Sequence, residues 1–297
     1  MRARHWVTLL GVSAMLGSAF SFTGIAVAHI PPVTVAAGRA VLAAIVLWSL
    51  VRISGGRLPA PGPAWRPIAV VGITTGAIPY ICLAWGQMHV QSSLAGILFG
   101  SVPLFTLVIA HFQAQQEGNA ERMTSLRIAG IVAGFAGVGV ILGPGALAGL
   151  DGQLLGEALI LAGAACYGFG SVYTRSHARH APLVMAAGQN LCAGAILVPL
   201  SIALDAPWRL APGLEPLGAV VALAVIGTAV PAPAIFWLIR SVGAITTSLL
   251  AYFIPLTAAL IGVLVLGEAL SFGMVAGFIL ILGGATLVSR RAATPGA

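Results

Sequence analysis

Ten apolar runs, each about as long as a bilayer is thick, follow one another along this chain with almost no charge inside them. A helix that crosses the hydrocarbon needs about 20 mostly apolar residues. The predicted spans are Trp6–Ala28, Val33–Ile53, Ile68–Met88, Val90–Phe112, Ser125–Leu142, Leu154–Tyr173, Pro182–Leu204, Pro216–Ile239, Val242–Leu266 and Phe272–Ser289. Composition excludes a water-soluble alternative. Hydrophobic residues make up 59% of the chain and charged ones 7%, where a soluble domain carries about 25% charged residues. A soluble fold near 300 residues buries only roughly 75% of its surface and could not hide so much apolar area. The expected class is therefore an all-α integral membrane protein of ten transmembrane helices, with the lipid bilayer as its first partner. Arg2 and Arg4 ahead of the first run, and Ala26-Val27-Ala28 at its end, mimic a signal peptide. The run is too long for a signal h-region of about 7–15 residues and reads as a retained helix.

The basic residues are 14 arginines without a lysine. They are spread over the ends of apolar runs rather than gathered on one face, which argues against nucleic acid. Arg2, Arg4, Arg52, Arg57, Arg66, Arg122, Arg127, Arg175, Arg179, Arg240, Arg290 and Arg291 flank spans on the side of the N-terminus, and Arg209 alone is on the other. The positive-inside rule then puts both termini in the cytoplasm. Adding or removing one span would scatter the downstream arginines to both sides. Cys82, Cys166 and Cys192 lie inside apolar runs without metal-type spacing and read as small hydrophobes.

The chain also repeats itself. Shifted by 152 residues, Ala77-Ile78-Pro79 meets Ala229-Val230-Pro231, Trp85 meets Trp237, and Pro103-Leu104 meets Pro255-Leu256. Shifted by 150, Pro32 meets Pro182 and Ala36-Ala37-Gly38 meets Ala186-Ala187-Gly188; shifted by 147, Gly130 and Gly137 meet Gly277 and Gly284. The expected halves are 1–145 and 146–297. Five spans is an odd number, so the second copy enters the membrane from the opposite side. Two inverted five-helix repeats would then surround a central cavity. That architecture recurs in secondary transporters, with the site near the midplane between repeats.

The five-plus-five layout, the Pro32…Arg39 opening of span 2, Val242-Gly243-Ala244 leading to Pro255, Gly267-Glu268 and the glycine-rich last span together resemble the drug/metabolite transporter (DMT) superfamily in its ten-helix EamA branch. The likeness covers essentially the whole chain. In the first half Gln116-Glu117 stand where Gly267-Glu268 would be expected, with an insertion before span 5. The resemblance implies a carrier in a bacterial inner membrane that exports small metabolites. Ile81-Cys82-Leu83-Ala84 is similar to the YddG type within the branch, which implies neutral or aromatic amino acids as substrate.

Candidate site residues follow from chemistry inside the membrane. Arg39 is the one ionisable group well within a span, and such groups are costly and usually functional. It suits a substrate carboxylate, or it snorkels to the interface. The matched prolines Pro79, Pro231, Pro103 and Pro255 each remove a backbone hydrogen bond, making them hinge or gating candidates. Around them Tyr80, Trp85, Gln87, Ser101, Tyr173, Gln189, Asn190, Trp237, Ser248 and Tyr252 offer aromatic walls and polar anchors. Trp85, Trp237 and Tyr173 also suit interfacial belts. Gly130-x-x-x-Gly134 and Gly273-x-x-x-Gly277 are small-residue faces for close helix packing, inside one chain or across a weak dimer.

These features rank the functions. The chain has no Gly-x-x-x-x-Gly-Lys-[Ser/Thr] segment, so primary transport lacks its phosphate cradle. Glu117, Glu121, Asp151, Glu157, Asp205, Glu215 and Glu268 are scattered at span ends and loops, which suits neither a membrane enzyme nor a carboxylate-based cation exporter. No metal or cofactor is expected. A carrier working by alternating access leads. Export of another metabolite or drug, and a non-transporting sensor or partner subunit, stand as alternatives.

Overall fold

The computed structural model describes residues 3–116, 125–143, 152–177, 180–235, 237, 238, 241 and 250–289. Its helices are α1 (Ala3–Val27), α2 (Pro32–Ile53), α3 (Trp65–Gly86), α4 (Ser92–Gln113), α5 (Ser125–Leu142), α6 (Gly152–His177), α7 (Pro182–Leu204), α8 (Leu214–Ile235), α9 (Leu250–Leu266) and α10 (Phe272–Ser289). The first eight are long and apolar enough to cross a membrane, and apolar stretches of α9 and α10 accompany them. The architecture is the ten-helix membrane fold expected from the apolar runs.

Local chemistry sets the helix ends. Pro32 and Pro182 open α2 and α7, where a missing N–H costs nothing. Gly267, at φ +68°, ends α9 in the left-handed conformation that glycine tolerates. The reversal brings Glu268 against the start of α4. Its Oε1 accepts the Ser92 N–H at 2.8 Å and its Oε2 the Ser93 N–H at 2.7 Å. Asp205, just past α7, does the same for α2, its Oδ2 accepting the Thr34 N–H at 2.7 Å and hydroxyl at 2.8 Å. Each carboxylate satisfies backbone donors orphaned by the helix start and complements its positive dipole end.

Within α3 and α8 the winding loosens into π turns at Gly72–Ala77 and Val225–Ala229. The N–H of Ile78 reaches back to Ile73, and that of Val230 to Val225 at 2.9 Å. Pro79 and Pro231 follow directly. The wider turn makes room for a ring that would otherwise strike the carbonyl four residues earlier.

The broadest helix packing joins the first five helices to the last five: α5 with α10, α2 with α7 and α8, α4 with α9, α1 with α8 and α9, α3 with α7, and α6 with α3 and α4. The pattern maps onto itself when each helix is exchanged for the one five places later. The α5–α10 seam is built on glycine. A Cβ at Gly137 would stand 2.6 Å from the Gly277 carbonyl oxygen, and the reverse distance is the same. Gly130 packs there too, against Gly284. Gly134 receives Leu104 of α4. These stripes pack helices of one chain. The apolar core gathers around Phe20, Leu94, Ile97, Leu98 and Ile160, where α1, α4, α6 and α9 meet.

Candidate functional site

A cavity of about 260 Å³ opens where the interrupted helices converge. Seven helices line it: Leu16, Ala19, Phe20 and Thr23 of α1, Arg39 of α2, Pro79, Tyr80 and Leu83 of α3, Gly96, Phe99, Gly100, Val102 and Pro103 of α4, Tyr167 of α6, Gly227 of α8, and Ile254 and Pro255 of α9. The volume lies just under the roughly 300–1,000 Å³ of drug-sized sites and suits a small metabolite.

Arg39 is the charged member of this lining. It sits seven residues into α2, about 10 Å along the axis at 1.5 Å per residue. Two neighbours hold it, one from each interrupted helix. Its guanidinium carbon lies 3.9 Å from the Tyr80 ring centre, directly after the break at Pro79. Its Nε donates to the Thr228 hydroxyl oxygen at 3.1 Å, inside the π turn of α8. Thr228 in turn donates to the Leu223 carbonyl at 2.9 Å. Tyr80 is pinned from behind, its hydroxyl donating to Asn190 Oδ1 at 3.2 Å, while the Asn190 amide donates to the Ala186 carbonyl at 2.9 Å. No carboxylate among the described residues pairs with Arg39. Its two terminal nitrogens keep their donors for a ligand. A desolvated cation on an aromatic face gains up to about 2 kcal/mol, which helps offset burial of the charge.

Part of the lining is aromatic. Phe99 meets Phe20 edge-on at 5.8 Å between ring centres and Tyr167 at 5.6 Å. The site therefore pairs one fixed cation with an apolar, ring-lined volume, the complement of an anionic head on an apolar body. Among the described residues no group of three His, Cys, Asp or Glu side chains could hold a metal ion.

Of the residues singled out in the sequence, Arg39, Tyr80, Pro79, Pro103 and Pro255 line the cavity. Asn190 stands one layer behind it, through Tyr80. The others are placed elsewhere. Pro231 is buried in α8 beyond Gly227. Ser101 is fully buried and spends its proton on the Leu98 carbonyl. Gln189 packs its backbone on Gly72 of α3. Tyr252 packs beside Leu104 and Ala285. Tyr173 stacks on His177 at 4.1 Å near the end of α6. Trp237 lies over His5 and Arg4 at the start of α1, and Trp85 is 39% exposed at the end of α3. Gln87 is buried there without a hydrogen-bond partner among the described residues. Ser248 lies outside the described residues. Phe20, Phe99 and Thr23 were not marked by the sequence, since an aromatic or threonine inside an apolar run looks the same whether it faces lipid or cavity.

The EamA-like transporter family model matches this chain in two segments, residues 5–143 and 154–290. The chain is similar to the uncharacterized inner membrane transporter YedA of Escherichia coli, at 30% identity over 91% of this chain and 87% of that protein. It is also similar to the uncharacterized transporter YoaV of Bacillus subtilis, at 22% identity over 92% of each chain. A solved crystal structure shares the fold with a TM-score of 0.65 at 23% identity, over 97% of this chain and 98% of its own.

Proposed function

The chain belongs to the EamA-like transporter family, and from that premise we propose that this multi-pass membrane transporter exports neutral or aromatic amino acids by alternating access across a bacterial inner membrane, both termini in the cytoplasm. The observation that carries the reading is Arg39, held by Tyr80 and Thr228 with donors to spare at the wall of an aromatic cavity. An α-carboxylate binds the guanidinium through charge-assisted hydrogen bonds, and the side chain fills the space among Phe20, Phe99 and Tyr167. The matched π turns at Ala77 and Ala229, the exchange-invariant helix packing and the two-segment family match all support two inverted repeats. Similar halves can each seal one side of the cavity, giving inward- and outward-open states of near-equal energy.

A second reading takes another monocarboxylate without an ammonium group. It is favoured by the lining itself, which includes no acid among the described residues to meet a substrate's positive charge. Purified protein in liposomes, offered radiolabelled amino acids and their deaminated analogues with and without a pH gradient, separates the two. Movement of phenylalanine but not phenylacetate supports the first; the reverse removes it.

A further inference from the structure

A second cavity, about 370 Å³, lies between α4 and α6 at the end of the bundle that holds the N-terminus. Its polar lining is Thr106 and Gln113 of α4 with Ser171, Arg175 and Ser176 of α6. Gln113 spans the seam, its amide donating to the Ser176 hydroxyl oxygen at 3.4 Å. The central cavity is lined by the preceding turns of these same helices, at Pro103 and Tyr167. Between the two spaces α4 and α6 touch closely. A Cβ at Gly168 would meet the Thr106 backbone nitrogen at 3.0 Å and the Phe105 side chain at 3.1 Å.

The polar groups of this space are sorted by kind. Arg175 is a cation with no hydrogen bond or ion pair among the described residues. Its place in the last turn of α6 suits the helix dipole, but that does not require it to face a polar cavity. The Thr106 hydroxyl donates to the Val102 carbonyl and the Ser171 hydroxyl to the Tyr167 carbonyl, both at 2.8 Å. Their protons are committed to their own helices, so both oxygens present lone pairs to the cavity. Ser171 is one turn, about 6 Å of axial rise, from Arg175. A cation at one level, the Ser171 acceptor a turn deeper and the Thr106 acceptor beside Gly168 below it complement a small zwitterion.

We propose that this space is a second substrate site, an entry vestibule for amino-acid zwitterions on the face that the proposed orientation turns to the cytoplasm. The proposal rests on the amino-acid reading of the central cavity. The α-carboxylate meets Arg175, and the ammonium donates to Thr106 and Ser171. Parting of α4 and α6 at Gly168 then admits the substrate to Arg39.

The test labels S171C, with T106C as a second position, in a chain whose Cys82, Cys166 and Cys192 are replaced by alanine. Reactive positions should favour an anionic methanethiosulfonate over a cationic one by at least about tenfold, the scale of electrostatic focusing in a charged cleft. R175Q should abolish that preference. Millimolar phenylalanine should slow labelling, with phenylacetate and phenethylamine each protecting less. Unreactive positions, a preference that survives R175Q, or no protection by phenylalanine would each overturn the proposal. Labelling by the anionic reagent that is slowed by phosphatidylglycerol liposomes without phenylalanine, and not by phosphatidylcholine, would assign Arg175 to a lipid headgroup instead. R39Q separates the two sites: transport should fall by about 10- to 100-fold while the labelling pattern stays. Labelling that behaves as expected in a protein that moves no amino acid would leave the vestibule standing and remove the transport reading.

Discussion

The guanidinium carbon of Arg39 lies over the ring of Tyr80, 3.9 Å from its centre, and the two come from different helices. The π turn before Pro79 adds a residue to the winding and so sets the rotation of the residues that follow it, Tyr80 among them.

Replacing Arg39 tests the cation directly. R39Q is expected to lower transport efficiency by about 10- to 100-fold, the equivalent of the roughly 1.5–3 kcal/mol in a hydrogen bond to a charged group. R39K should recover little, since an ammonium lacks the planar fork. Initial rates in liposomes, with thermal unfolding as the check on folding, decide it. Unchanged rates would remove Arg39 from the site.

Y80F removes a hydroxyl and keeps the ring. Asn190 Oδ1 then loses its partner in a buried position, at a cost of about 1–3 kcal/mol. The expected signature is lower thermal stability with transport largely retained. Y80A should also abolish transport, because the support under Arg39 is gone.

Two glycines of α5, one in the seam with α10 and one outside it, should respond in opposite ways. G137A drives a methyl group into the Gly277 carbonyl and should destabilise by about 1–3 kcal/mol through overpacking. At Gly139, two residues on and so on roughly the opposite side of α5, nothing lies within 4 Å of a new Cβ. G139A should be neutral or gain up to about 1 kcal/mol in helix propensity. Thermal unfolding in detergent compares them, and equal effects would contradict the packing described.

E268A strips the cap from α4. The Ser92 and Ser93 N–H groups lose their carboxylate, which should cost about 0.5–2 kcal/mol of stability. E268Q keeps one acceptor and should fall between the two. A melting curve for E268A matching the wild type would mean that the cap does not contribute.

Gln87 is a polar group out of place. Both its amide atoms are buried with no partner among the described residues, an arrangement that costs about 1–3 kcal/mol. Q87M, close in shape and apolar, should raise the melting temperature. A fall would show that the amide is engaged.

The spans themselves were legible because the bilayer demands length and apolarity before anything else. The second and seventh runs, read as Val33–Ile53 and Pro182–Leu204, are the helices Pro32–Ile53 and Pro182–Leu204. The sixth, read to Tyr173, continues to His177, because a helix can carry Arg175 and His177 beyond the apolar zone. The site was legible where chemistry is unusual in lipid, at Arg39 and at prolines inside runs. It was not legible where it depends on helix rotation. A membrane helix is apolar on every side, so nothing in the pattern said that Phe99 faces the cavity while Tyr252 packs beside Leu104. The π turns were also hidden, since no residue type encodes an extra residue per turn.

The interleaving of early and late helices has a consequence for biogenesis. While the ribosome is still making α7 to α10, the glycine stripe of α5 and the capless start of α2 have no one to meet. Maturation must wait for the last helix to arrive, and a polypeptide stopped after α5 would present its small-residue face to lipid or to another unfinished copy. Co-expressing the two segments as separate chains should restore what neither achieves alone.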